Sequence, residues 1–106
     1  MTLVRVASFD LVPDGAGLRV DAAGRRLALF RRGSEVLALD DRCSHAEASL
    51  AEGDVFGDTV ECPRHGSAFD LRTGAALSLP ATHPVAVYRT EVLGDDVFVD
   101  LGEEGP

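Results

Sequence analysis

Two short segments, Cys43-Ser44-His45 and Cys62-Pro63-Arg64-His65-Gly66, constrain this chain more than anything else in it. Each pairs a thiol with an imidazole, and together they use both cysteines and two of the three histidines. Residues 46–61 lie between them. That economy points to a single four-ligand metal centre gripped by two loops, each giving one sulfur and one nitrogen. A tetrahedral zinc site accepts the same donors, but its usual spacing puts a Cys pair on one knuckle and a His pair elsewhere. Here each loop is mixed, C-x-H first and C-x-x-H second. Four unrelated buried residues do not account for both loops at once.

At 106 residues, a single domain spanning 1–106 is expected, large enough for a modest core but not for two. Eleven glycines, few aromatic residues and no tryptophan favour short elements joined by tight turns. No apolar run approaches the length of a bilayer span. The start, Met1-Thr2-Leu3-Val4-Arg5-Val6, lacks the apolar stretch and small-residue cleavage site of an export signal. A soluble cytoplasmic protein is therefore expected. Two cysteines beside histidines at ligand spacing favour metal in a reducing compartment over a disulfide. The net charge of −8 argues against a nucleic-acid binder, whose footprint is basic and clustered. A protein partner should present a basic patch, and association should weaken as salt rises.

Taken in order, residues 3–8 are predicted as a strand, followed by a turn-rich connection from Phe9 to Gly17. Leu18 to Asp21 and Arg26 to Arg31 form a predicted hairpin around Ala22-Ala23-Gly24. Leu27-Ala28-Leu29-Phe30 is apolar on both faces, as a central strand should be. Val36 to Leu39 then delivers the chain to the first Cys/His segment. Ala46 to Glu52 suits a short helix or turns. Short strands are predicted at Gly53 to Phe56, Asp58 to Glu61 and Ser67 to Asp70, with a last hairpin of Val85 to Leu93 and Asp96 to Leu101 through Gly94-Asp95. So many short strands indicate an all-β antiparallel barrel or sandwich.

The mixed spacing resembles the Rieske family, in which a [2Fe-2S] cluster carries two cysteines on one iron and two histidines on the other. The similarity extends through Leu50-Ala51-Glu52-Gly53, Gly66-Ser67-Ala68-Phe69-Asp70-Leu71-Arg72-Thr73-Gly74 and Leu79-Pro80-Ala81. It implies an all-β Rieske fold: antiparallel sheets forming a base, with a cluster-binding subdomain, about residues 41–80, inserted into it. It places Cys43 and Cys62 on the buried iron, and His45 and His65 on the outer iron through Nδ1. The Pro80 connection corresponds to a third loop covering the cluster. Rieske proteins of cytochrome bc complexes add an inter-loop disulfide, but the matching positions here are Ala48 and Arg64. They also place hydroxyls where this chain has Ser67 and Phe69, so one sulfur donor is kept and one is lost. A potential in the lower part of the Rieske range, about −150 to 0 mV, is expected. Reduction should become proton-coupled at alkaline pH, since ferric iron acidifies its ligands.

The function this implies is one-electron transfer, with no catalysis. A mononuclear oxygenase iron needs two more histidines and a carboxylate, and only His83 remains, expected as a surface loop residue. The expected partners are a flavin-dependent reductase and the terminal oxygenase of an aromatic-ring dioxygenase system, served by a monomeric ferredoxin. Two alternatives stay open. Cys43-Ser44-His45-Ala46-Glu47 with Phe69-Asp70-Leu71-Arg72-Thr73-Gly74 also resembles small Rieske proteins encoded beside iron–sulfur assembly genes and points to cluster biogenesis. A zinc-stapled interaction module would be colourless. Glu47, Glu52, Asp54, Asp58 and Glu61 are expected to form a solvated face.

Overall fold

The computed structural model describes residues 3–44, 48–64, 66–79 and 81–102. In chain order its strands are β1 (Leu3–Ser8), β2 (Gly17–Ala22), β3 (Arg25–Arg32), β4 (Glu35–Asp40), β5 (Asp54–Phe56), β6 (Thr59–Glu61), β7 (Ala68–Asp70), β8 (Val87–Leu93) and β9 (Asp96–Asp100), with 3-10 turns at Phe9–Leu11 and Leu50–Glu52. Every predicted strand is present, with ends shifted by one or two residues. The short helix considered for Ala46 to Glu52 is a single 3-10 turn over its last three residues; Ala46 and Glu47 lie outside the described residues.

Six strands pair antiparallel in the order β1-β9-β8-β4-β3-β2, and the two edge strands approach each other to leave a nearly closed barrel. A second sheet, β5-β6-β7, falls in the chain between β4 and β8, as do both Cys/His segments. Two-residue alternation explains how the sheets share one wall. Successive strand side chains point to opposite faces, and all four residues of Leu27-Ala28-Leu29-Phe30 are buried. Leu27 and Leu29 join Val12, Val36, Ala38, Val97 and Val99 inside the barrel. Ala28 and Phe30 face the other way, into a core with Leu39, Leu50, Val60, Phe69, Leu71 and both cysteines. β3 thus separates two cores. Full burial of a Phe or Leu side chain contributes roughly 1.5–3 kcal/mol, so Phe30 and Leu39 alone hold the second core firmly to the barrel.

An exposed ion-pair strap supplements this. Arg72 Nη1 reaches both Glu35 carboxylate oxygens at 3.0 and 3.1 Å, and Asp58 accepts from Arg32 Nε at 3.0 Å and Arg72 Nε at 3.5 Å. The Arg32 hydrogen bond, then the Arg72 charge, outweigh desolvation and hold the Asp58 carboxyl below its ordinary 3.8. Because that folded-state value is depressed, the contribution is present above pH 3.8 and fades as pH falls through the lowered value.

Gly53 shows why the 3-10 turn can lie against β6. A Cβ built there would sit 2.0 Å from the Glu61 carbonyl oxygen, a backbone atom that cannot step aside. Gly57, by contrast, has positive φ but open space around it. Gly53→Ala is expected to destabilise the protein by about 3 kcal/mol, the upper end for overpacking, and Gly57→Ala by about 1 kcal/mol. Equal denaturant midpoints for the two variants would contradict the close approach.

Candidate metal centre

Each cysteine stands where two paired segments of the chain converge. At the first, β4 runs into Asp41-Arg42-Cys43; Arg42 bridges Ser49, and the Cys43 amide donates to the Ala48 carbonyl at 3.1 Å. At the second, β6 and β7 converge; Cys62 N donates to Ser67 O at 2.7 Å and Gly66 N to Cys62 O at 2.9 Å. Gly66 closes that tip at φ +76°, a conformation glycine adopts without the penalty a Cβ imposes. These bonds put both thiols at the base of their tips. Cys43 and Cys62 are 3 % and 1 % exposed, reduced, and packed in the same core.

Asp41 fastens the first tip. Its side chain is fully buried, and Oδ1 accepts from Ser49 Oγ at 2.8 Å and from the Ala51 amide at 2.9 Å. Oδ2 takes Arg26 Nη2 at 3.0 Å, while Asp41 O accepts from Leu50 N at 2.6 Å. A buried carboxylate is costly without such partners, so the strand before Cys43 and the turn after the tip are locked together. Sequence reasoning missed Asp41, because an acidic residue at a strand end ordinarily reads as a solvated turn.

A third segment ties the tips to each other. Leu77 N donates to Ala68 O at 2.7 Å, and Ala68 N to Ser78 Oγ at 2.9 Å. Ser67, fully buried, accepts from Ala81 N at 3.1 Å through its hydroxyl oxygen, which leaves the hydroxyl proton for another acceptor. Ser44 Oγ donates to His83 O at 2.7 Å. Phe69 is buried in the shared core, and Asp70 Oδ1 caps the following turn by accepting from Arg72 N and Thr73 N. The exposed His83 ring lies 3.2 Å from Thr82 Oγ1, away from any metal-binding group of described residues. Glu52, Asp54 and Asp58 are exposed, as a solvated face requires, and Glu61 is half-buried. His45, Pro80 and Glu47 lie outside the described residues, as does His65.

The described donors, two buried thiols, fit the thiolate end of the cofactor that the mixed Cys/His motifs imply. Two thiols, neither in a disulfide, share one core, and among the described residues no third metal-binding side chain joins them.

Comparison with known proteins agrees. Residues 2–89 match the family described as Rieske [2Fe-2S] domain. The chain is 50 % identical over 96 residues, 90 % of each sequence, to the 3-phenylpropionate/cinnamic acid dioxygenase ferredoxin subunit of Escherichia coli strain K12. It superposes on the ferredoxin of carbazole 1,9a-dioxygenase from Nocardioides aromaticivorans IC177 with a TM-score of 0.88 at 39 % identity, covering 93 % of this chain and 97 % of that one. A structure described as the complex of reduced oxygenase and oxidized ferredoxin in carbazole 1,9a-dioxygenase matches with a TM-score of 0.87 at 36 % identity, covering 98 % and 97 %. The chain belongs to the Rieske [2Fe-2S] domain family. Its cofactor is a Rieske-type [2Fe-2S] cluster, and it is an electron-transfer component rather than a catalyst.

Asp41→Ala removes three hydrogen bonds to a charged acceptor, each worth about 1.5 kcal/mol, for an expected loss of about 4–5 kcal/mol. It should also lower the iron retained through gel filtration. Asp41→Asn keeps an oxygen acceptor for Ser49 and Ala51 and should retain most of that iron. Indistinguishable iron contents for wild type and Asp41→Ala would show that the clamp does not hold the tip.

Proposed function

We propose that Cys43 and Cys62 hold one iron of the cluster and His45 and His65 the other. We propose further that a flavin-dependent reductase supplies the electron. The acceptor is the terminal oxygenase of an aromatic-ring dioxygenase system. The observation that carries this is 50 % identity over nine-tenths of a dioxygenase ferredoxin subunit, supported by the fold match to a ferredoxin seen with its oxygenase. These relatives favour the oxygenase role over cluster biogenesis, and the family's cofactor leaves no support for a zinc staple. No helix among the described residues is long and apolar enough to cross a membrane.

The bound cluster supplies one reversible electron. The chain's own residues keep the thiol end dry, since Phe30, Leu39, Leu50, Phe69 and Leu71 close the core around Cys43 and Cys62. The Ser44–His83 and Ser67–Ala81 bonds keep the tips from shifting, which limits the reorganisation that accompanies a change of charge. In this reading the end of the molecule that carries Cys43 and Cys62 is the end offered to a partner.

Purified protein should be red-brown, with iron and acid-labile sulfide in equal amounts and a potential of about −150 to 0 mV. Cys43→Ser and Cys62→Ser should lose the cluster; His45→Cys or His65→Cys should abolish the Rieske-type spectrum. Electron delivery from a reductase to a dioxygenase should require the intact holo-protein. A zinc-containing colourless protein, or a Rieske spectrum surviving His65→Cys, would overturn the assignment.

A further inference from the structure

A cleft of about 400 Å³ opens beside the first ligand loop, lined by Gly24, Arg25, Arg26, Asp40, Arg42 and Tyr88. Topology puts it at the loop end of the large sheet. Gly24 is in the β2–β3 turn, the adjacent arginines begin β3, Asp40 ends β4, and Arg42 directly precedes Cys43. All ten cationic residues of the chain are arginines, and three of them converge here although the whole carries −8.

The cleft is preorganised. Arg25 Nη1 donates to Tyr88 Oη at 3.2 Å, and its guanidinium carbon lies 5.8 Å from the Tyr88 ring centroid. Tyr88 in turn donates to Asp40 Oδ1 at 2.6 Å. Burial, then the Asp40 hydrogen bond, push the Tyr88 hydroxyl above its usual range, so it remains protonated. Arg26 is fixed by Asp41. Planar guanidiniums held in place match the two oxygens of a carboxylate.

We propose that this cleft is a docking socket for an Asp or Glu side chain of the redox partner. The proposal rests on the function above only in taking the loop end as the face a partner meets. Attraction between an acidic ferredoxin and a basic partner face brings the two together but leaves their rotation undefined. A pair of reversed sign beside the ligand loop fixes it, since any other orientation sets like charges against each other.

Tyr88 is the chain's only tyrosine, so [13C]tyrosine labelling of the oxidised holo-protein yields one ring signal inside the cleft. The probes are a capped hexaglutamate peptide, a capped hexaglutamine peptide and inorganic phosphate. Hexaglutamate should give a saturable shift that weakens with salt. Arg25→Gln or Arg42→Gln should weaken it about tenfold, as loss of one charge-assisted contact implies, with Arg25→Lys intermediate. Should one glutamine variant not fold, the other and Arg25→Lys carry the test. An equal shift with hexaglutamine, or hexaglutamate binding unchanged in the variants, overturns the socket. Phosphate binding as tightly as the peptide also overturns it, in favour of a free-anion site. Failure of the socket with electron transfer to the oxygenase intact leaves the proposed function standing; absence of iron and sulfide removes that function instead.

Discussion

Two thiols from distant points in the chain must meet in a dry core without help from the flexibility of the loops that carry them. That constraint shapes the rest of the molecule. β3 is buried on both faces so that one core can stabilise the barrel while the other receives Cys43 and Cys62. The core cannot by itself set the tips. Asp41 does so for the first, and the Ser67–Ala81 and Ser44–His83 bonds join both tips to the third segment. Rigid tips on a rigid barrel are what a carrier needs, because an electron passes with little delay only where its surroundings barely move.

Much of this was legible in the residues. The two mixed Cys/His segments stood out because the chain has so few such residues. β3 was legible because an unbroken apolar run of four cannot be half-exposed. Short strands bounded by glycine and turn dipeptides gave the sheet order its raw material.

What escaped was non-local. A buried Asp41 makes sense only beside Arg26 and the Ala51 amide, which the fold brings together from separate elements. The cleft joins Arg25 to Tyr88 across 63 positions of sequence, and no local pattern announces such a pairing. The 3-10 turn at Phe9–Leu11 also left no signal, since Ser8 before it makes no side-chain capping bond. The resemblance gave Ser67 as a sulfur donor, but nothing in the sequence announced that its oxygen also holds the third segment through Ala81.

Electrostatics divide the surface into unequal parts. The overall charge of −8 acts at long range and sets which partners approach. In the proposed docking, the tips and the arginine cleft act at contact range and set how they arrive. The account's centre is still the division of ligands between two irons. Anomalous diffraction from crystals of the holo-protein, collected on both sides of the iron edge, tests it most directly. Two adjacent iron peaks are expected, the inner one bonded to Cys43 and Cys62 and the outer to His45 and His65. A single peak bonded to all four side chains would contradict it.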